Sequence, residues 1–363
     1  MKRIALIAAA LPAAASAQVA HDEAVVLRNR SGMEVHILPF GATVTRVIVP
    51  DRQGRRANVV LGYASAAEYR AKNRKNMFGA TIGRYAGRIA GAGFTLDGKP
   101  VRLVPNDGSN ALHGGGKVGF DNVEWRVSRA KPTRADEVTF SLTSPDGFQG
   151  FPGQVAVSVT YRLTADNALR IDYRARTTAT TVLNLTNHSY FNLAGEGSGS
   201  VDKQWLQIAA RRYVATDPTG VPTGASPAVD DTPLDFRSPH RIGERINSSQ
   251  PPMTGRGYNH AWLLDKGAGR LAVAARLADP GSGRTLTILT TEPSVQVYTG
   301  GYIDGKDAGP SGRTIHPGDG VAIETQHLSD SPNRPAFPTT LLRPGQIYHS
   351  TTIWQFGTSA SAR

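Results

Sequence analysis

Three short, strand-like segments carry the side chains best suited to chemistry. The segments are residues 110–115, 183–193 and 320–328, and they contain His113, His188 and Glu324 in that order. Imidazole exchanges a proton near neutral pH, and a carboxylate can serve as the matching base. Two imidazoles and one carboxylate therefore indicate general acid–base catalysis, provided that the fold brings them together.

The second and third segments carry polar residues where apolar ones are expected. Residues 183–193 contain several asparagines in a stretch whose other residues predict a strand, although Asn is depleted in strands. Such conflicts between local propensity and pattern mark functional sites. Glu324 follows three apolar residues on a predicted strand, where burying a carboxylate is costly unless it has partners.

Each of the three residues also has an ordinary structural explanation. A single His in a β protein is more often a hydrogen-bonded core or loop residue, and a strand Glu more often faces water. His113 precedes three glycines and could simply close a turn. Taken singly these explanations are favoured, but the three residues together form a chemically coherent set, which favours catalysis.

Several classes of active site are excluded by composition and motif. The chain has no cysteine, so disulfides, thiol nucleophiles and zinc–thiolate sites are ruled out. Lys117 follows three glycines but precedes Val118, which does not fit a phosphate-binding P-loop. Neither the G-x-S-x-G elbow nor the H-E-x-x-H pair occurs, and we expect no metal requirement.

Alternating strand-like runs recur along the chain and predict its fold. Clear examples are residues 138–142, 155–161, 169–173, 271–277 and 284–289. Residues 278–283, rich in Gly, Pro and Asp, predict a hairpin connection. The one modest helix candidate is Ser65–Lys72, with Ser65 as N-cap and Glu68 three residues later. The pattern predicts an all-β protein with a large antiparallel β-sandwich, in a single domain over residues 18–363.

The first 17 residues have the features of a secretory signal peptide. Lys2 and Arg3 precede an apolar run, and Ala15–Ala17 fits a small-residue cleavage site. The run is short for a membrane anchor. We therefore expect an exported protein, periplasmic or secreted, with no membrane association after cleavage of the signal.

The positive charge of the chain does not predict a nucleic-acid partner. The formal net charge is +12, but the arginines are scattered, and no basic run of five residues or aromatic-interleaved RNA motif occurs. A generally basic surface explains the charge better.

The three segments resemble the aldose 1-epimerase (galactose mutarotase) family, and the resemblance extends in order over nearly the whole mature chain. The matching blocks are Phe40–Ala42, Gly79–Arg84, Arg88–Ile89, Asn110–Gly114, Asn187–Leu193, Gly257–His260, Val295–Gly300, Glu324–His327 and Asp330–Asn333. The blocks Asn-His-Ser-Tyr-Phe-Asn-Leu and Glu-Thr-Gln-His are specific to the family.

This resemblance implies a galactose mutarotase-like supersandwich that interconverts the α and β anomers of free hexoses without a cofactor. Glu324 would be the general base at the C1 hydroxyl, and His188 the general acid at the ring oxygen. His113 would be a second imidazole near both oxygens. Mutual attraction between Glu324 and His188 would favour the ionised carboxylate beside the protonated imidazole.

The resemblance also implies which residues bind the sugar hydroxyls. These are Arg88, Asn259, Gln296 and Asn110. Two positions depart from the family pattern: Asn259 replaces an Asp, and Gly87 replaces a residue that is often Asn. Because Asn lacks the charge-assisted hydrogen bonds of a carboxylate, we expect the departures to affect sugar preference more than chemistry. Trp262, close to Asn259, is the tryptophan most expected to stack on the sugar.

Three other functions stay open at this stage. A non-catalytic carbohydrate-binding sandwich would not need an acid and a base together. A glycoside hydrolase or lyase would need a pair of carboxylates, such as Glu324 with a nearby Asp. A phosphosugar epimerase would need clustered cations, for which Arg84 and Arg88 are candidates. The expected partner is a monosaccharide, and the chain could be a monomer or a homodimer.

Overall fold

Strands dominate the computed structural model, which describes residues 24–128 and 136–359. The predicted signal peptide lies outside these residues. The described part includes one α-helix, α1 (Ala66–Asn76), which begins after the predicted N-cap Ser65 and ends at Met77 in the left-handed conformation. The Ser65 hydroxyl accepts a hydrogen bond from the Glu68 backbone N–H, at 3.3 Å. Within the described residues, no helix has the length and apolar character needed to cross a membrane.

The largest sheet has nine antiparallel strands. In spatial order they are β10 (Arg126–Ser128), β11 (Glu137–Ser144), β12 (Val155–Leu163), β13 (Ala168–Thr177), β26 (Tyr348–Thr358), β22 (Arg284–Thr290), β21 (Ala272–Ala278), β17 (Trp205–Ile208) and β19 (His240–Arg241). All five predicted strand segments lie in this sheet, and residues 278–283 join β21 to β22 as an antiparallel hairpin.

Two smaller sheets pack against it. A five-stranded sheet has the order β16 (Tyr190–Phe191), β24 (Val321–Gln326), β23 (Ser294–Tyr298), β20 (Asn259–Leu263) and β18 (Arg212–Tyr213). A four-stranded sheet has the order β1 (Val25–Arg28), β2 (Glu34–Leu38), β3 (Thr43–Pro50) and β4 (Arg56–Asn58). Four strand pairs complete the described part: β5 (Thr81–Ile82) with β15 (Thr186–Asn187), β6 (Arg88–Ile89) with β9 (Ala111–Leu112), β7 (Gly93–Leu96) with β8 (Lys99–Arg102), and β14 (Thr181–Val182) with β25 (Leu341–Leu342).

One hydrophobic core joins the three sheets. Val35 of β2, Val159 of β12 and Val297 of β23 have no exposed surface and belong to the same cluster. Alternation along β12 is the reason: every second residue from Val155 to Leu163 is buried. The predicted all-β antiparallel sandwich is confirmed.

The segment 183–193 is not the single strand that its pattern predicted. It contains two short strands, β15 and β16, with His188 in the break between them. The Asn187 side chain causes the break, because its Oδ1 accepts hydrogen bonds from the N–H and hydroxyl of Ser189, at 3.0 and 2.7 Å. The backbone of His188 pairs instead with Gly79 and Ala80.

Candidate active site

Strand register places three of the predicted site residues on one face of the five-stranded sheet. Gln296 of β23 lies opposite Glu324 of β24, and Asn259 of β20 lies opposite Tyr298, two residues from Gln296. Because side chains two residues apart share a face, all three project to the same side. The alternate residues of β24, Val321 and Ile323, point into the core.

This face forms the wall of a cleft of about 660 Å³. The structure places every predicted site residue along it: Arg88, Asn110, His113, His188, Asn259, Gln296 and Glu324. These residues come from six separate regions of the sequence, so tertiary folding alone assembles the set.

Glu324 is a buried carboxyl group with little support from hydrogen bonds. Glu324 is 3% exposed, and its Oε2 atom is buried without a hydrogen-bond partner. Burial raises the pKa of Glu324 to about 8, because the carboxylate loses hydration, while the charge of Arg88 acts in the opposite direction. The protonated form of the carboxyl group is therefore favoured at neutral pH.

His188 is the nearest titratable neighbour of Glu324. Its Nε2 lies 3.7 Å from Glu324 Oε1, and its Nδ1 is buried without a hydrogen-bond partner. Burial lowers the pKa of His188 to about 4. Desolvation of both buried groups opposes the ion pair that their mutual attraction would favour.

His113 completes the cluster from a left-handed turn, where its φ is 50°. Its Nδ1 accepts a hydrogen bond from the Gly87 N–H, at 3.2 Å, so the neutral ring carries its proton on Nε2. The ring packs edge-to-face on that of His188, with 5.4 Å between ring centroids. Burial, together with the neighbouring His188 and Arg88, holds the pKa of His113 well below its usual value.

The same three residues have the donor types of a metal site. One ligand atom from each of His113, His188 and Glu324 lies within 4.8 Å of the others. Two imidazoles and a carboxylate are a common set for zinc. The sequence analysis looked for closely spaced histidines and did not predict this grouping. The three residues are far apart in the sequence and meet only in the fold. The cluster is equally suited to the acid–base role predicted from the sequence.

Arg88 of β6 and Asn110, just before β9, form a second wall of the cleft, outside the five-stranded sheet. Arg88 donates from Nε to Asp107 Oδ2, at 2.7 Å, and its guanidinium packs against Gly220. Asn110 accepts a hydrogen bond from the Gly91 N–H, at 3.0 Å. Asn110 therefore supports this wall, in addition to facing the cleft.

Asn259 and Gln296 are joined to each other. The Gln296 Nε2 donates to Asn259 Oδ1, at 2.8 Å. Because this bond uses the carbonyl oxygen, Asn259 offers its NH₂ group to the cleft as a hydrogen-bond donor. A carboxylate at this position would offer only acceptors, so the departure at Asn259 changes the kind of hydroxyl contact available.

Two expectations about the cleft are wrong. Trp262 has no exposed surface and donates from Nε1 to the carbonyl of Leu234, so it is a core residue. Arg84 is also fully buried, and it donates to Ser144 and to nearby carbonyls, so it cannot join Arg88 in binding an anion.

The sequence analysis missed several residues that line the cleft. Tyrosines, not tryptophans, supply its aromatic wall: Tyr190, Tyr298 and Tyr302. Gln326 and Ser329 also line it. Gln326 could have been found, since it lies two residues after Glu324 on a predicted strand. Nothing local in the sequence indicated Ser329.

Comparisons with known proteins agree with this geometry. Residues 23–355 match the family model of aldose 1-epimerase. Galactose mutarotase from Rattus norvegicus is 42% identical over 324 residues, covering 89% of this chain and 91% of the relative. Aldose 1-epimerase from Escherichia coli K12 is 40% identical over 337 residues, covering 92% and 94%.

A solved structure shares the same fold. The GalM/aldose epimerase homologue from C. elegans superimposes with a TM-score of 0.83 at 31% identity, covering 92% of this chain and 98% of that one. With the family model matched over most of the described residues, the assignment follows. This chain belongs to the aldose 1-epimerase family.

Proposed function

We propose that this protein accelerates the interconversion of the α and β anomers of free aldohexoses, such as glucose or galactose. One observation carries the proposal: one ligand atom from each of Glu324, His188 and His113 lies within 4.8 Å of the others, in a cleft with many polar side chains. The names of the relatives, galactose mutarotase and aldose 1-epimerase, support the choice of substrate.

The chemistry requires only two proton transfers. Glu324 takes the proton of the C1 hydroxyl while the bond between C1 and the ring oxygen breaks and its electrons move to that oxygen. His188 protonates the ring oxygen, which leaves the open-chain aldehyde. Rotation about the C1–C2 bond presents the other face of the aldehyde, and the reverse transfers close the ring.

The remaining residues bind and orient the sugar. Arg88 and Gln296 bind hydroxyls, and Asn259 donates a hydrogen bond from its NH₂ group. His113, with its proton on Nε2, donates toward the reacting oxygens and stabilises the charge that develops there.

The substrate would be met outside the cytoplasm. The features of residues 1–17 support an exported protein, periplasmic or secreted, that acts as one domain on a monosaccharide. Detection of the chain in a periplasmic extract, cleaved after Ala17, is the expected result; retention of the full-length chain in the cytoplasm would contradict it.

Polarimetry of freshly dissolved α-glucose and α-galactose tests the catalytic proposal. The wild type should speed relaxation, and Glu324→Gln should lose about 10²–10⁴-fold in kcat, because the amide cannot accept the proton. Glu196→Gln is the matched control: Glu196 is half-buried and bonded to Ser311, away from the cleft, so full activity is expected.

Two outcomes would contradict the proposal. A folded wild type that accelerates no aldose would favour the non-catalytic carbohydrate-binding alternative, which calorimetry with the same sugars would then test. Acceleration that survives in Glu324→Gln would remove Glu324 from the role of base. A phosphosugar epimerase has less support than it had from the sequence, because Arg84 lies in the core.

A further inference from the structure

The wall of the cleft beside Gly87 contains a polar side chain whose hydrogen bonds are not all satisfied within the protein. Gln326 is 3% exposed, and its Oε1 is buried without a hydrogen-bond partner. Leaving a buried amide oxygen unpaired is costly, so such groups in a ligand cleft are commonly completed by the ligand. Gln326 lies on β24 two residues after Glu324, and both residues line the cleft.

Ser329 lies beside Gln326 and has a hydrogen-bond donor to spare. Its Oγ accepts a hydrogen bond from the Arg88 N–H, at 3.1 Å, which leaves the hydroxyl proton free to donate. Ser329 is partly exposed and also lines the cleft.

Because Gly87 has no side chain, Ser329 and Gln326 can lie close to its backbone. A Cβ placed on Gly87 would collide with Ser329 Oγ and would lie 3.3 Å from Gln326 Nε2. Gly87 also has a φ of 82°, a conformation that glycine adopts without strain. Ser329 and Gln326 thus lie side by side against the backbone of Gly87.

From these contacts we infer that Gln326 and Ser329 form a hydroxyl-binding subsite that holds a ring hydroxyl of the sugar away from C1. This inference rests on the proposed function. Two residues along a strand are separated by about 6.6 Å, comparable with the width of a pyranose ring. A sugar whose C1 hydroxyl meets Glu324 therefore brings a hydroxyl from its far side to Gln326.

The subsite combines both hydrogen-bonding roles that a hydroxyl can use. The amide of Gln326 accepts and donates, and Ser329 donates. An alcohol hydroxyl satisfies the unpaired Oε1, whereas a hydrogen atom at the same carbon leaves it unpaired. The subsite therefore discriminates against the sugar that lacks that one hydroxyl.

Sugars with single hydroxyls removed provide the test. Glucose and its 2-, 3-, 4- and 6-deoxy derivatives all keep the C1 hydroxyl and can be followed by polarimetry. We expect Gln326→Leu and Ser329→Ala to lower kcat/KM for glucose by about 3- to 10-fold, the effect of one neutral hydrogen bond. One deoxy sugar lacks the hydroxyl that the subsite binds. For that sugar the wild type should already have the lower kcat/KM, and neither substitution should lower it further.

Calorimetric titration of the same sugars gives a second readout that does not depend on turnover. Gln207→Leu is the matched control, since Gln207 lies on β17 outside the cleft and bonds to the carbonyl of Arg237. It should leave both kcat/KM and affinity unchanged.

The outcomes separate this inference from the proposed function. Equal losses for glucose and for every deoxy sugar, or no loss at all, would overturn the subsite. A wild type that binds the sugars but accelerates none would contradict the proposed function. The calorimetric titrations of the deoxy sugars would still test whether Gln326 binds a hydroxyl. If Gln326→Leu does not fold, Ser329→Ala with the same sugars decides, because it removes only one oxygen atom.

Discussion

Glu324 and His188 share one titratable proton over the physiological pH range. Burial raises the pKa of Glu324 to about 8 and lowers that of His188 to about 4, so both side chains are neutral between these values. In the proposed ring opening, the charged pair becomes a neutral pair as the protons move. Burial of the two side chains disfavours the charged pair. It therefore favours the neutral pair that is present at the open-chain stage.

The enzyme should be most active in the pH range where Glu324 and His188 together hold one titratable proton. We expect kcat/KM to stay nearly constant between the two pKa values, to fall above about pH 8 as Glu324 loses the proton, and to fall below about pH 4 as His188 gains one. Polarimetry with subtraction of the uncatalysed rate at each pH measures this profile. A rate that keeps rising well beyond pH 8 would contradict the shared-proton state.

The buried carboxyl group of Glu324 also makes stability depend on pH. Its pKa is raised from 4.5 to about 8, so its contribution is fully present below about pH 4.5 and is lost as the pH rises through about 8. Glu324→Gln cannot ionise. We therefore expect its Tm, relative to that of the wild type, to increase steadily from pH 5 to pH 8.

Scanning calorimetry in matched buffers checks this difference. Glu124→Gln is the control, because the Glu124 side chain is 54% exposed and its Tm difference from wild type should vary little with pH. A Tm difference for Glu324→Gln that stays constant from pH 5 to pH 8 would show that Glu324 is ionised in the folded protein over this range.

At the scale of elements, the turn after β24 holds the two walls of the cleft together. Asp330 at this turn has no exposed surface, and its N–H donates to the carbonyl of Arg88 on β6. Its carboxylate accepts hydrogen bonds from the Ala90 N–H, Asn333 Nδ2 and Arg334 Nε, at 3.0, 2.7 and 3.0 Å. These bonds keep the end of β24 beside β6.

Removing this carboxylate should affect both stability and sugar binding. Asp330→Ala leaves two buried donors and Arg334 without their acceptor, and we expect it to lower the free energy of unfolding by about 2–4 kcal/mol. KM should rise, since Ser329 and Arg88 lose their relative positions. Urea unfolding and polarimetry measure the two effects.

A surface ion pair provides the comparison for Asp330. Asp97 pairs with Arg343 where both side chains are about half exposed, and its φ of 47° is left-handed like that of Asp330, so both alanine variants share that backbone cost. Asp97→Ala should cost only about 1–2 kcal/mol, mostly from this backbone conformation, with KM unchanged. Equal effects of Asp97→Ala and Asp330→Ala would mean that the turn after β24 has no special part in the cleft.

Local patterns predicted those elements whose structure depends on neighbouring residues. Alternation located the strands of the large sheet, and the spacing of Ser65 and Glu68 located the start of α1. The break at Asn187 was missed because a side-chain hydrogen bond replaced the strand ladder. Ser329 was missed because its place in the cleft depends on its contact with Arg88, 241 residues away.

At the scale of the whole molecule, buried arginines join the sheets that surround the cleft. Arg284 of β22 is 3% exposed and donates to three backbone carbonyls. These carbonyls belong to Val49 on β3, Leu193 after β16, and Arg55 before β4, at 3.2, 3.0 and 2.9 Å. One guanidinium thus connects the large sheet with both smaller ones.

Only a guanidinium has enough donors in a fixed geometry to reach all three carbonyls. In Arg284→Lys the ammonium group is shorter and cannot satisfy them together, and each unpaired buried carbonyl costs about 1–3 kcal/mol. We therefore expect a loss of about 2–4 kcal/mol in the free energy of unfolding, measured in urea. Arg276→Lys on β21, where the arginine contacts Gln207 at the surface, should change it by less than about 0.5 kcal/mol.

The shape of the unfolding curve carries further information about the domain. Because the core and Arg284 join all three sheets, wild type and Arg284→Lys should each unfold in one cooperative transition, with coincident curves from circular dichroism and tryptophan fluorescence. The variant should differ in its midpoint and keep its m-value. Two separate transitions in the variant would mean that Arg284 links sheets able to unfold independently, and the prediction of a single domain would then be wrong.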